Sequence, residues 1–370
     1  MKFKKPTLLI DEVKARRNID RIVKKAVKSD TSVWPHFKTH QSLQIGEWFK
    51  DSDISGITVS SVSMAEYFAN AQWPKIYIAF PVNINEIDEI SELAERVSLT
   101  LLVNDPAHVN ELIKRVTKPV NLKIEIETGS RRSGIASNET ELIRTIIDQI
   151  TVSQHVFGGF YSHFGHTYGA TNRNEVRDIF DQSFAQLKSL EQYFISDNPA
   201  ISLGDTPSAS VLDTYNDISS MHAGNYVFYD LTQAQIGVCE EEEIAIVLAA
   251  PVVSKNRERL ELVVYGGGIH LSKDQLKSRE FGNIIYGKIV TIGPEGWSAS
   301  LENCYVRSIS QEHGVIKVTS EVFDQFAIGD SLGILPVHSC MTADCMGEYY
   351  SLQGMKLDHL QGKSPEIGKK

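Results

Sequence analysis

The chain has 370 residues, of which 42% are hydrophobic and 23% charged, a composition typical of a globular protein with two domains or one barrel and an appendage. The formal net charge of -10 disfavours nucleic-acid binding, because phosphate contacts need a basic face. No segment approaches the roughly 18 apolar residues that span a bilayer, and the basic start of the chain lacks the apolar stretch of a signal peptide. Its four cysteines do not resemble a disulfide framework. We therefore expect a cytoplasmic protein that binds neither nucleic acid nor membrane.

Short apolar segments alternate with longer amphipathic ones from Thr31 to about Asp230. Apolar runs of this length, bounded by turn residues, indicate buried parallel strands. The eight predicted strands are Ser32–Lys38, Gly56–Ser60, Lys75–Phe80, Leu99–Val103, Val120–Glu127, Phe157–His163, Ala200–Gly204 and Ile218–His222. The even recurrence of eight strands favours a (β/α) barrel over an open doubly wound sheet.

Between these strands, apolar positions recur every three or four residues, which is typical of helices packed on one face. The predicted helices are Ser42–Lys50, Met64–Ala71, Glu86–Val97, Ala107–Val116, Thr140–Ile150 and Glu175–Phe194. The sequence thus predicts an α/β fold, with a barrel over residues 12–236.

After about Ile236 the pattern becomes rich in β-strands separated by glycine turns, which predicts a mostly antiparallel β domain. The predicted strands are Ile244–Val253, Leu260–Tyr265, Ile284–Ile292, Asn303–Ser310, Val315–Thr319 and Ser331–Pro336. An early apolar segment, Pro6–Asp11, could pair in either domain, and we assign residues 1–11 together with 237–370 to the β domain. The acidic run Glu240–Glu243 is interpreted as a solvated turn or strand edge.

Lys38 ends the first predicted strand, in Pro35-His36-Phe37-Lys38-Thr39-His40. Barrel enzymes keep their active sites where the strands end, so a lysine there is a candidate for amine chemistry. The same lysine also fits a surface residue that ends a strand.

The loop after the fifth strand, Glu127–Gly134, has two glycines around Arg131 and Arg132. These glycines allow a tight turn that points a guanidinium into the barrel mouth, where it can hold a phenolate or carboxylate. The alternative is an ordinary polar loop.

Four ring donors follow one another at the end of the sixth strand: Tyr161, His163, His166 and Tyr168. Their density in so short a segment indicates a site. Each ring alone also fits a packed residue whose polar atoms are satisfied by the fold.

Glycines and hydroxyl residues end the last two strands, including Gly204 and Thr206 after the seventh and Gly224 and Asn225 after the eighth. The last loops of barrels often hold a phosphate on backbone N–H groups. These residues therefore indicate a phosphate site, although ordinary turns use the same residue types.

His338 and Cys340 stand one residue apart near the end of the chain. An imidazole and a thiolate on one side of an extended segment suit zinc, and two protein ligands leave positions open for substrate and water. Asp344 and Cys345 could contribute further ligands, but four and five residues further along they are interpreted as the start of a helix. The alternative is a buried cysteine beside a surface histidine.

Taken together, these motifs resemble one family over nearly the whole chain: the metal-activated D-serine dehydratases and D-threonine aldolases, pyridoxal-phosphate (PLP) enzymes with an alanine-racemase-type barrel. The segment Pro35–His40 is similar to the Schiff-base lysine motif of that family. By this resemblance Lys38 holds the cofactor and acts as the base at Cα, and His338 and Cys340 hold zinc or another divalent metal such as manganese. The resemblance places Arg132 near the ring oxygen of the cofactor and Tyr161 near its pyridine nitrogen, and it surrounds the phosphate with Gly204, Thr206, Gly224 and Asn225.

The resemblance implies a lyase acting on a small D-3-hydroxy amino acid, and two features favour a D-serine dehydratase. The dehydratases carry His-x-Cys where the aldolases tend to carry His-x-Asp, and Tyr161 falls where the aldolases tend to have glutamine. Asp205 departs from the serine usual in the family. D-Threonine aldolase, D-threo-3-hydroxyaspartate dehydratase, an amino-acid racemase and a non-catalytic PLP-binding protein remain alternatives. A homodimer is expected from the related enzymes.

Overall fold

The structure is a computed structural model that describes residues 2–362. The chain divides into two compact units, of which the barrel unit comprises Asp20–Lys38 and Gly46–Gly224. The β unit comprises Met1–Ile19, Thr39–Ile45 and Asn225–Lys370. The predicted domain limits stay a prediction, and residues 363–370 at the end of the predicted β domain lie outside the described residues.

The main sheet of the barrel unit is built from parallel strands that alternate with helices, as predicted. Within residues 2–362 it has nine strands, of which eight form the barrel series: Ser32–Val33, Ile57–Val59, Lys75–Pro81, Ser98–Val103, Asn121–Glu127, Val156–Ser162, Ile201–Leu203 and Ser220–Met221. The ninth strand, Ile135–Ala136, lies outside this series and pairs with Asn121–Glu127. Its helices include Val62–Asn70, Ile87–Ala94, Pro106–Arg115, Thr140–Thr151, Arg173–Tyr193 and Thr206–Val211. The helix Glu12–Lys28 precedes the first strand, and a short helix, Leu43–Glu47, follows it.

Each strand pairs with its neighbours, so the first strand lies beside the eighth and the order continues down to the second. A parallel bridge between His36 and Thr58 joins the two ends of this series. The backbone N–H of Ser55 also donates to the carbonyl of Val33 at 2.9 Å. The predicted barrel is therefore confirmed, with the ends of its strands meeting at one rim.

The β unit is formed around a mostly antiparallel sheet, in which only Thr7–Ile10 and Tyr349–Ser351 pair in parallel among the described residues, and this confirms the predicted fold class. The strands of this sheet are Thr7–Ile10, Ile246–Asn256, Glu261–Tyr265, Gly287–Val290, Tyr305–Ile309, His313–Lys317, Ser331–Pro336, Tyr349–Ser351 and Lys356–Leu357. The long strand Ile246–Asn256 pairs with both Glu261–Tyr265 and Ser331–Pro336, which closes six of them into a ring. The strand Thr7–Ile10 pairs antiparallel with Ile246–Asn256 and so belongs to this sheet.

Short helices complete the β unit: Leu231–Ile236, Gly268–Leu271, Ser320–Gln325 and Ser339–Met346. The acidic run forms a short 3₁₀ turn at Glu241–Glu243, in agreement with its interpretation as a turn. Two small ribbons are also present, Leu276–Lys277 with Ile284–Ile285 and Ile292–Gly293 with Gly296–Trp297. In residues 2–362 no helix is both long and apolar enough to cross a membrane.

Candidate active site

Lys38 lies in a 3₁₀ turn, Phe37–Thr39, which follows the first barrel strand. The turn is anchored by Phe37, a fully buried ring whose centroid lies 5.1 Å from that of Phe49 and 5.0 Å from that of Phe68. Such aromatic packing fixes the backbone beside it. The lysine is therefore held at a defined place in the turn after the strand, with its side chain half-buried. The predicted continuation of the first strand to Lys38 is wrong, because the strand ends at Val33.

Two histidines of the barrel unit share the electrostatic environment of Lys38. Burial lowers the pKa of His36 well below its ordinary value, and the charge of Lys38 lowers it further. Burial likewise lowers the pKa of His163 to about 3, and the charges of Lys38 and Arg132 contribute to this decrease. Nδ1 of His163 pairs with the carbonyl of Gly204, which fixes the proton on that nitrogen. Both rings are thus neutral, and the charges that lower their pKa values include those of Lys38 and Arg132.

Tyr161 is held rigidly inside the barrel by other rings. Its centroid lies 5.5 Å from Tyr77 and 5.6 Å from His222, both edge to face, and its side chain is 2% exposed. Burial raises the pKa of Tyr161 far above neutral pH, so the phenol keeps its proton. A Cβ on Gly204 would overlap the hydroxyl oxygen of Tyr161, which explains why glycine ends the seventh strand. The structure thus brings these two predicted residues together.

The loop after the seventh strand presents a hydroxyl without a partner. The backbone N–H of Thr206 donates to the Tyr168 hydroxyl at 3.2 Å, but the buried Oγ1 of Thr206 has no hydrogen-bond partner in the described residues. An orphaned buried hydroxyl is costly unless a further group binds to it. The phosphate of a cofactor, placed here by the family resemblance, would accept this hydrogen bond.

The carboxylate of Asp205 does not contribute to the predicted phosphate site. Its side chain accepts from the backbone N–H of Ser208 at 2.8 Å and from the Thr167 hydroxyl at 3.0 Å, capping the helix Thr206–Val211. Burial raises the pKa of Asp205 to about 6, although these hydrogen bonds oppose the rise. The aspartate that stands in place of the usual serine therefore has a structural task as a helix cap.

Replacing Thr206 with valine tests the phosphate assignment. Loss of a hydrogen bond to a charged group costs about 1.5–3 kcal/mol, so we expect PLP to bind roughly 10- to 100-fold more weakly. The dissociation constant is measured by titrating the metal-loaded protein with cofactor. A matched Thr145→Val variant, changed on an exposed helix face of the same unit, keeps normal affinity. Equal affinity of the two variants would remove Thr206 from the cofactor site.

Arg132, His163 and Tyr168 lie near the ends of the barrel strands, whereas His166 contacts a helix. Arg132 lies 3.9 Å from Glu125, and its charge reaches His163 and Tyr161, in keeping with the predicted orientation into the barrel mouth. His166 instead bonds through Nε2 to Ser183 of the long helix Arg173–Tyr193, at 3.0 Å. His163 and Tyr168 thus adjoin the Gly204–Thr206 loop, whereas His166 faces a helix.

In the β unit, His338 has an extended backbone but Cys340 lies in a helix, so the predicted extended segment is wrong for Cys340. Ser339–Met346 is helical, with His338 as its N-cap residue. Cys340 is in the first turn, and the predicted helix start at Asp344 comes too late by about one turn. The sequence pattern misled because a short helix after a strand has too few residues to show a helical period.

The histidine and the cysteine shift each other's pKa in the directions that favour an imidazolium and a thiolate. Burial opposes a charge on His338, but the hydrogen bond with Cys340 and the charges of Cys340, Asp230 and Asp274 raise its pKa to about 10. Burial opposes the thiolate of Cys340 too, but the hydrogen bond and charge of His338 lower its pKa below the ordinary value. A divalent cation can replace the shared proton, since thiolate and neutral imidazole are the forms that bind metals.

Two further polar groups contact the sulfur atom of Cys340. Asn225 Nδ2 and the Thr39 hydroxyl each lie 3.4 Å from Sγ of Cys340. The same amide group donates to Asp230 at 2.8 Å and to the Ser339 hydroxyl at 2.9 Å. The side-chain amide of Asn225 therefore contacts Asp230, Ser339 and Cys340. A phosphate contact by Asn225, as predicted, would have to come from its backbone N–H. Gly224, the last residue of the barrel unit, stays a prediction as a phosphate contact.

Asp274 is a candidate site residue that the sequence analysis missed. Its Oδ2 lies 3.0 Å from Nδ1 of His338, and it accepts from the Ser272 hydroxyl at 2.9 Å. A carboxylate on one ring nitrogen fixes the tautomer and leaves the other nitrogen for a metal. The 64-residue separation from His338 gave no local signal of this pairing.

We expect Asp274→Asn to weaken metal binding about 10- to 100-fold, the usual cost of losing such an outer-shell carboxylate. Competition with a chromophoric chelator measures the affinity without an activity assay. Asp324→Asn, on the exposed surface of the same unit and paired with Arg257, is the control. A metal affinity equal to that of the control variant would show that Asp274 does not orient the ligand.

Within residues 2–362, no three or more His, Cys, Asp or Glu side chains are grouped to hold a metal ion. Among the described residues, His338 and Cys340 are therefore not part of a structural zinc site with four protein ligands. The soft sulfur and borderline imidazole fit zinc, and two ligands leave coordination positions for other oxygen atoms. The residues fit a metal that binds substrate.

Comparison with known proteins agrees with this arrangement. Residues 10–222 match the model of the alanine racemase N-terminal domain, and residues 245–352 match that of a putative serine dehydratase domain. A D-threo-3-hydroxyaspartate dehydratase from Delftia sp. is 25% identical over 94% of this chain and 93% of its own length. A D-serine dehydratase from Dictyostelium discoideum is 26% identical over 93% of this chain and 92% of its own.

The solved structure of the Delftia enzyme superposes with a TM-score of 0.89 over 97% of this chain and 98% of its own, at 24% identity. That likeness shows the fold. A cysteine-to-alanine variant of a D-threo-3-hydroxyaspartate dehydratase has also been solved and is described as being in a metal-free form.

The barrel, the lysine at its rim and the second β-rich unit define a PLP-dependent fold of the alanine racemase type. The chain belongs to the alanine racemase N-terminal domain family and joins that barrel to a serine-dehydratase-type domain. The family predicted from the sequence is confirmed.

Proposed function

We propose that this protein is a PLP- and zinc-dependent lyase that dehydrates a small D-3-hydroxy amino acid, with D-serine as the main substrate. D-Serine loses water to give 2-aminoacrylate, which hydrolyses to pyruvate and ammonia. The observation that carries the proposal is the imidazole–thiolate pair of His338 and Cys340, oriented by Asp274, Asn225 and Thr39. The dehydratase names of the relatives support it.

The barrel unit supplies the groups for a phosphate-bearing cofactor. Lys38 carries the cofactor, and the Thr206 hydroxyl and the Gly204 backbone receive its phosphate. The bound cofactor supplies an electron sink that stabilises negative charge at Cα of the amino acid. Tyr161 keeps its phenolic proton and offers it as a hydrogen-bond donor, because burial holds its pKa high.

Lys38 also serves as the base that takes the Cα proton. A positioned base contributes about 10²–10⁴-fold to such a step. His36 and His163 stay uncharged beside it, which avoids adding two more positive charges near the ammonium. Arg132 offers a guanidinium to an anionic oxygen.

His338 and Cys340 hold the metal, which would act as a Lewis acid on the β-hydroxyl. Hydroxide is a poor leaving group, and a Lewis acid is worth several kcal/mol to its departure. A racemase has no need of such a pair, and its presence therefore favours the lyase.

The direct test is release of pyruvate and ammonia from D-serine by protein loaded with PLP and zinc. We expect equal amounts of the two products, no product from L-serine, and loss of turnover after metal removal with recovery on adding zinc. Turnover that survives complete metal removal would contradict the role of the pair. Entry of solvent deuterium into both enantiomers of alanine, without keto acid, would indicate a racemase, and cofactor binding without turnover of any D-amino acid would indicate a non-catalytic protein.

D-threo-3-hydroxyaspartate is the second candidate substrate, because a relative covering 94% of this chain carries that name. The relative kcat/KM values for D-serine and for this diacid decide between them. We also propose that the enzyme acts as a homodimer, which light scattering on the holoenzyme tests, and that it works in the cytoplasm.

A further inference from the structure

A lysine lies inside the barrel where the proposed reaction does not use it. Lys123 belongs to the fifth strand, Asn121–Glu127, and is 8% exposed. Its ammonium bonds to the Ser202 hydroxyl. Among the described residues no neighbouring charge offsets the burial of this ammonium. A buried charge normally has a partner, because desolvation without one is unfavourable.

The groups around Lys123 form a chain of neutral hydrogen bonds. The Ser202 and Ser220 hydroxyls lie 2.7 Å apart, and Ser220 lies 2.8 Å from Nε2 of His222. Nδ1 of His222 lies 2.7 Å from the Thr58 hydroxyl. Burial, together with the charge of Lys123, lowers the pKa of His222 well below its ordinary value, so the ring stays neutral. None of these groups carries a negative charge.

Glu125, two residues along the same strand, has its carboxylate engaged elsewhere. It accepts from the Ser133 hydroxyl at 2.7 Å and from the Asn104 amide at 3.2 Å, and Arg132 lies 3.9 Å away. Burial raises the pKa of Glu125, opposed by these same partners. The charge of Glu125 is therefore paired with Arg132 and Ser133, and it does not balance the charge of Lys123.

A cavity of about 90 Å³ opens beside the ammonium. Its polar lining comes from Tyr77, Thr100, Asn121, Lys123, Ser220 and His222. The hydroxyl of Tyr77 is buried and has no hydrogen-bond partner in the described residues. Burial raises the pKa of Tyr77 far above neutral pH, so this hydroxyl is a donor. The lining thus combines one cation with several neutral donors and no carboxylate.

We propose that this cavity binds a small monovalent inorganic anion of the chloride class, in contact with Lys123 and the Tyr77 hydroxyl. One negative charge balances the single ammonium, whereas a phosphate or sulfate would bring a second charge that nothing in the lining compensates. The volume holds an ion together with ordered water. Burial lowers the pKa of Lys123 to about 8, so the ammonium is still its main form at neutral pH.

The solution test compares melting temperatures in sodium chloride and sodium gluconate at constant ionic strength and pH 7. We expect chloride to raise the melting temperature of the holoenzyme, because a ligand of the folded state stabilises it. Lys123→Met removes the charge and keeps the length of the side chain, and it should abolish the chloride-specific rise. Lys24→Met is the control, since Lys24 lies exposed in the same unit beside Asp20, and it should keep the rise. No rise in the natural protein, or an equal rise in Lys123→Met, would overturn the proposal.

A second measurement uses the natural protein and so does not depend on how the variant folds. Crystals of the holoenzyme are grown or soaked with bromide, and anomalous scattering locates the ion. We expect a bromide peak in contact with Nζ of Lys123. Ordered water alone in the cavity, or bromide found only at other places, would show that the site is not one for anions.

Discussion

Replacing Lys38 with alanine is expected to reduce the release of pyruvate from D-serine by at least about a thousandfold. The residue has two tasks in the proposed reaction, carrying the cofactor and taking the Cα proton, and a positioned base alone contributes about 10²–10⁴-fold. The variant should also lose the yellow absorbance of lysine-bound cofactor. Pyruvate production and the visible spectrum are measured on the same samples.

The control for this change is Lys24→Ala, which removes a lysine from the exposed face of the barrel unit. It should keep both activity and colour. Lys38→Ala should melt within a few degrees of the control when both lack cofactor, because the half-buried side chain lies at a strand end and does not fill the core. A Lys38→Ala protein that retains a tenth of the natural activity would exclude this lysine as the base.

The second large effect is expected at the metal pair. Cys340→Ser replaces the soft thiolate with a weak ligand, and His338→Ala removes the imidazole. Each should lower zinc content and reduce dehydration by about 10²–10³-fold, since the Lewis acid is worth several kcal/mol. Both variants should keep the yellow absorbance, because the cofactor is held by Lys38 and the Thr206 loop.

Cys345 provides a matched control in the same helix, Ser339–Met346. The residue is exposed, but partial desolvation of its thiol and the charge of Asp344 raise its pKa, so it is a poor thiolate. Cys345→Ser should leave zinc content and turnover unchanged. If Cys340→Ser behaved like this control, the metal would have to be held elsewhere.

Much of the barrel could be predicted because its strands leave a local signal. Apolar runs such as Lys75–Phe80 and Leu99–Val103 are buried on both faces, and the observed strands Lys75–Pro81 and Ser98–Val103 begin and end within one residue of them. Lys38 could be proposed for the same reason, since the end of a barrel strand is where the fold places its chemistry.

The surroundings of the metal pair could not be predicted, because they depend on contacts between distant parts of the chain. Thr39 and Cys340 are 301 residues apart, and Asn225 and Cys340 are 115 apart. Asn225 was assigned to the phosphate from its place after the eighth strand, and nothing local reveals that its amide points to the sulfur atom. The same holds for Asp274.

Lys123 was within reach of the sequence analysis. In the fifth strand the polar residues Asn121, Lys123, Glu125 and Glu127 alternate with apolar ones, which is the pattern of a strand with one polar face. We interpreted the segment only as a buried strand. Since both faces of a barrel strand are covered, those polar residues had to lie in the barrel interior, where Lys123 is 8% exposed and Glu125 3%.

The most direct test of the proposed chemistry is product analysis with D-threonine and enzyme loaded with PLP and zinc. Dehydration breaks the bond between Cβ and oxygen, so we expect 2-oxobutanoate and ammonia in equal amounts, with none formed after zinc is removed. Glycine and acetaldehyde would instead show that the bond between Cα and Cβ breaks, as in an aldolase, and would exclude the proposed dehydration.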